Sequence, residues 1–163
     1  VPLIPAPLQN ALLQMTTTSR PQSASEAADR IATAYEAYTL TALAGGIPLT
    51  APGPGRAAMS QALTAAFSTK PGLPPVVAQG FATMVTSYWV GATFILPPAS
   101  GVVVTPPPGI AALVPTLSAL FANPANPAEV FAAQVALALD VCTRTVLVTL
   151  TVPPAPPVIV PVL

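Results

Sequence analysis

Glu26, Asp29 and Glu36 are three of only five acidic residues in the chain, and they fall in one short stretch. Carboxylates that close could act as a general acid and base, or share a hard cation. Helical spacing gives them plainer work. Glu26 and Asp29 complement the positive end of a helix, and Glu36 belongs to its solvated face. Glu129 and Asp140 lie far along the chain and bring no further ligand spacing. The one thiol, Cys142, sits among apolar residues and threonines, and a small buried hydrophobe is the expected role. There is no histidine, so Ser–His and Cys–His nucleophiles are excluded. The glycines of "APGPGR" (51–56) lack the Lys-Ser/Thr ending and preceding strand of a phosphate loop. Catalytic, metal and cofactor residues are therefore assigned to none, and the chain is read as not an enzyme.

Two groups of residues suit contact rather than chemistry. Asp140 and Arg144 are spaced i,i+4 in the most apolar helical stretch, as helix support or as interface register. Tyr35, Tyr38, Tyr88 and Trp89 recur at matching places along the chain. They are either core aromatics with polar tips at a bundle's edge or anchors where subunits meet.

The surroundings of these residues are unusual. Only 6% of the residues are charged, 53% are hydrophobic and the formal net charge is zero, against about 25% charged in an ordinary soluble domain. Little keeps copies apart, and the composition fits a subunit whose surface neighbours cover. Arg20, Arg30, Arg56, Lys70 and Arg144 are scattered, so no basic stripe is offered to nucleic acid. Residues 76–96 are uncharged over roughly the 20 needed to cross a bilayer. Gln79, Gly80, Thr83, Thr86, Ser87 and Gly91 dilute them, and no membrane span or cleavable leader is expected.

The elements that must position all this come in threes. "IATAYEAYTLTA" (31–42) returns as "FATMVTSYWVGA" (81–92), and Arg20-Pro21 returns as Lys70-Pro71 at the same offset. "GRAAMSQALTAAF" (55–67) returns as "GIAALVPTLSALF" (109–121). Proline and glycine runs at 45–55 and 97–109 divide the blocks. Each unit (about 6–46, 55–96 and 109–152) reads as a helical hairpin with apolar stripes, such as Ile31, Ala34, Tyr35, Tyr38 and Ala42. Ser23 and Glu26 make a capping box, Asn126 is the expected N-cap of the last helix with Pro127 first inside it, and Pro115 should bend its neighbour. "TRTVLVTLTV" (143–152) alternates like a strand, yet its apolar positions continue the helical stripe, so the helix is extended to about Thr149. The expected fold is all-α: a single domain, 1–163, of three degenerate hairpins in a six-helix bundle.

Both ends, "VPLIPAP" and "VPPAPPVIVPVL", combine aliphatics with prolines that forbid helix and discourage a sheet interior. They are expected to be extended arms lying in grooves of neighbouring subunits, with Val158, Ile159 and Val160 as contact residues. With the repeat in view, "PLIPAPLQNAL" (2–12) resembles the opening of small virion proteins of contractile-tailed bacteriophages, Ala/Thr/Gly-rich chains of repeated helical hairpins. The chain is richer in Pro and poorer in Gly than that group. The resemblance implies a structural role in a virion or phage-tail-like particle assembled in the host cytoplasm, with multiple copies and other particle subunits as partners. The alternative from the residues alone is a bundle that binds an apolar ligand or a membrane surface.

Overall fold

The computed structural model describes residues 3–69, 72–123 and 125–163. Val1 and Pro2 of the expected N-terminal arm, and Lys70-Pro71 of the repeat match, lie outside the described residues. Three units follow one another, each two helices and then two strands. The first comprises α1 (Ala6–Thr17), α2 (Ala24–Thr39), β1 (Leu43–Ala44) and β2 (Ile47–Ala51). The second comprises α3 (Gly55–Ser68), α4 (Pro74–Trp89), β3 (Thr93–Leu96) and β4 (Ala99–Val102). The third comprises α5 (Ile110–Phe121), α6 (Ala128–Thr143), β5 (Leu147–Thr151) and β6 (Val158–Pro161).

The all-α expectation is therefore overturned. Six strands in the order β1 to β6, antiparallel throughout, make one sheet. It curls until its two ends meet: Ala44 bridges Val162, and Leu43 and Leu163 exchange amide bonds of 3.1 and 2.9 Å. The result is a nearly closed barrel. Two of its staves come from segments read above as punctuation, the others from the ends of the supposed hairpins and from the supposed arm. Gly45 and Gly46, at φ +56° and +86°, make the tight turn between β1 and β2, a conformation that glycine reaches without steric cost. Residues 47–51 and 99–102, inside the supposed linkers, are strands.

Two further corrections concern the last unit. Helix α6 stops at Thr143, and residues 147–151 are β5. The stripe was real, but Val146, Val148 and Leu150 reach the core by alternation of the pleat. The supposed C-terminal arm is β6, paired with β5 from Leu147↔Pro161 to Leu150↔Val158. A proline is tolerated there for a geometric reason. Val162 directs its amide to Val146, just before β5, and Leu163 to Leu43 of β1. By alternation, the amide that Pro161 lacks would point to β1's side, where β1 has already ended.

The helices form two rings. α1 packs between α6 and α2, α3 between α2 and α4, and α5 between α4 and α6. The inner helices α2, α4 and α6 bring Tyr35, Val85 and Leu139 to one level of the centre, all buried. One level on stand Tyr38, Tyr88 and Cys142, then Thr39, Trp89 and Thr143. Matching hydrogen bonds repeat below each inner helix: Leu49 N–H to Ala42 O (3.1 Å), Val103 to Ala92 (3.0 Å) and Val162 to Val146 (3.0 Å). A pseudo-threefold axis runs through both bundle and barrel. Capping differs between units. Ser23 Oγ accepts the Glu26 amide at 3.1 Å, while α6 has Pro127 as its N-cap and no side-chain cap bond, so Asn126 is not the cap. Pro115 lies within α5.

Candidate functional site

The four aromatics singled out by the sequence do not reach a partner. Tyr35, Tyr38, Tyr88 and Trp89 are all buried between the three inner helices, alongside the smaller Thr39, Cys142 and Thr143. Their interface-anchor role is set aside. Their polar tips form an ordered chain. Thr143 gives its proton to Leu139 O at 2.8 Å, so Tyr35 donates to Thr143 Oγ1 at 2.7 Å and accepts Trp89 Nε1–H at 2.8 Å. The Thr39 and Tyr88 hydroxyls meet at 2.7 Å. No buried side-chain polar atom among the described residues lacks a partner. Burial pushes the Tyr35 hydroxyl far above its ordinary range. Burial and the Asp140 carboxylate do the same for Tyr38, and burial carries Tyr88 up to about 12.

Asp140 is also turned inward, and the half-buried Arg144 reaches it from the surface. Asp140 accepts Tyr38 Oη–H at 2.5 Å and Arg144 Nε–H at 2.9 Å. Arg144 then donates through Nη2 to Leu3 O at 2.8 Å. The pair ties α6 to α2 and pins the buried Leu3 against the bundle. Leu3 thus packs on its own chain, and the pair serves as register within the bundle. The hydrogen bond from Arg144 to Asp140 raises the guanidinium's pKa further.

Little among the described residues converges for chemistry. Glu26 pairs with Arg30, and its carboxylate also accepts the Gln22 amide at 2.7 Å, which holds its pKa below the usual value. No three metal-ligating side chains group together among the described residues. Burial pushes the Cys142 thiol up to about 12, far from a reactive thiolate. No helix among the described residues is long and apolar enough to cross a membrane.

What reaches solvent is the outer wall of the barrel. The stretches 43–51, 93–104 and 145–163 hold no charged residue. Among the described residues, every charge lies on the helices and their connections. Pleating sends Ala44, Phe94 and Val148 inward and leaves Ile95, Val102, Leu147, Ile159 and Leu163 outside. Ile159 is 69% exposed and Leu163 55%. Val158 is exposed beside them, and Val160 is half-buried against the core. The register joins this surface laterally: Val102 faces Thr149, Thr149 faces Ile159, and Leu147 faces Pro161. Leu147, Leu163 and Val102 went unnamed in the sequence because their stretches were taken for helix, docking arm and linker in turn. Their one visible signal was the run without charge. A second apolar feature is a cleft of about 470 Å³ between α5 and α6, walled by Leu113, Leu137 and Val141 among others.

Comparison with family models, with curated proteins and with solved structures found no match to this chain.

Proposed function

We propose that the protein is a non-enzymatic structural subunit that docks onto neighbouring subunits of a larger particle through the outer wall of its barrel. The particle would be a virion or phage-tail-like assembly built from many copies. The observation that carries this reading is the charge-free barrel exterior, with Ile159, Leu163, Val102 and Leu147 facing water. Apolar side chains such as Leu40, Leu137 and Val141 are exposed on the helices too, but only the barrel presents them on a surface free of charge, and a continuous patch of that kind is a mark of an interaction face. The nearly closed barrel gives association a definite form. Little strand edge among the described residues, chiefly that of β6 beyond the end of β1, is free to extend a neighbour's sheet, so contact would be made mainly by side chains. The low charge of the whole chain and the resemblance of residues 2–12 to phage virion openings support the same reading.

Sedimentation of native material tests it, together with the variant Ile159→Asp. The wild-type chain should travel with a large particle, and I159D should keep its circular dichroism and melting temperature while its incorporation falls about tenfold or more. A wild-type chain that sediments as a monomer in its native source, or an I159D chain that incorporates normally, would overturn the reading.

A further inference from the structure

The end of the bundle opposite the barrel is hollow. There α1, α3 and α5 finish while α2, α4 and α6 are still in their first half. The six helices leave an open-mouthed cavity of about 320 Å³ beside the pseudo-threefold axis. Each helix contributes to its wall: Met15, Ile31, Phe67, Phe81, Phe121 and Phe131, from α1 to α6 in turn. The phenylalanines stand in a row, with successive centroids 6.2, 5.6 and 5.8 Å apart. The volume is at the small end of ligand pockets, which run from about 300 to 1,000 Å³.

Wall chemistry narrows the occupant. The polar side chain in the lining is Thr16, and its hydroxyl is turned to the carbonyls of Leu12 and Leu13 at 3.3 and 2.9 Å. Water inside would find too few partners, since a buried water needs about two to four. An alkyl chain would lose nothing there. The rim differs from the walls. Pro21 belongs to the lining, and the Arg20 that precedes it is exposed and makes no ion pair among the described residues. An apolar pocket with an exposed cation one residue from its lining matches a molecule with one slender tail and an anionic head.

We propose that this cavity binds a single-chain anionic amphiphile, a medium-chain fatty acid, with its tail among the phenylalanines and its carboxylate at Arg20. The site is separate from the barrel wall, and neither reading depends on the other. Calorimetric titration of the full chain with sodium dodecanoate, kept below its micelle concentration, tests it. The wild type should take up one equivalent saturably. Val77→Trp, which fills the cavity from a half-buried place on α4, should weaken uptake by about tenfold or more. Arg20→Gln should weaken dodecanoate several-fold and leave dodecanol binding unchanged. Should V77W fail to fold, Phe121→Ala serves instead, and its larger cavity should shift preference from dodecanoate to tetradecanoate. No saturable uptake by the wild type, or equal uptake by the filled or enlarged variant, overturns the proposal. So does a V77W effect on self-association in sedimentation without dodecanoate uptake, which would give the cavity to a second copy.

Discussion

At the scale of single residues, the buried hydroxyls make a pH prediction. The chain has three tyrosines, and all three are buried. Each has its pKa raised, chiefly by burial, with the Asp140 carboxylate adding to Tyr38. A raised folded pKa means that the unfolded chain releases the proton first. The stability this represents is complete below about pH 10, the unfolded value, and is lost as pH rises beyond it. Each such group steepens the loss by about 1.4 kcal/mol per pH unit. Absorbance at 295 nm should therefore show no tyrosinate forming near pH 10 while the circular dichroism is native. All three should ionise in one step, together with unfolding. A tyrosine that titrates at pH 10 in an intact fold would contradict the burial of the axis.

At the scale of elements, helix packing turns on small residues. A methyl placed at Gly80 of α4 would meet the Ala66 Cβ of α3 at 2.4 Å. Two effects oppose each other in Gly80→Ala. Helix propensity favours alanine by about 1 kcal/mol, and overpacking costs about 1–3 kcal/mol. The obstacle is a rigid methyl on a neighbouring backbone, so loss should win by about 1–2 kcal/mol, read as a lower melting temperature. G80A combined with Ala66→Gly should recover most of it, and a double variant no more stable than G80A would refute the contact. The helices were legible because stripes of period 3.6 persist over 12 to 16 residues. The strands were not. Only around β5 did alternation show, and there a helical stripe competed with it; the others, at 2 to 5 residues, are too short to show it clearly, and proline or glycine sits in or beside each turn.

At the scale of the whole molecule, β6 holds the ring shut. It pairs with β5 on one side, and the chain just beyond it meets β1 on the other, placing the fully buried Val162 in the core. Read as a docking arm, residues 153–163 should be dispensable for folding. As a barrel stave they are not. Removing them opens two ladders and uncovers the barrel's interior, a large share of the roughly 5–15 kcal/mol that holds a domain together. The truncated chain should lose its cooperative melting transition and much of its helical signal as well. A deletion that keeps native circular dichroism and a sharp melt would restore the arm reading.

The threefold repetition, the helix stripes and the poverty of catalytic groups were all present in the residue order, since each is a matter of type and spacing along one chain. Tyr35, Tyr38, Tyr88 and Trp89 could be recognised as a set, but not whether they face a partner or an axis. That choice belongs to the packing of α2, α4 and α6, which are separated in sequence by whole units. The barrel was decided at the same level. Its pairs join Leu49 to Phe94, Ser100 to Thr151 and Ala44 to Val162, and such distant bonds leave no local period to read. Only closure in three dimensions turns a proline-rich tail into a strand, because the amide that Pro161 lacks falls where β1 has already ended.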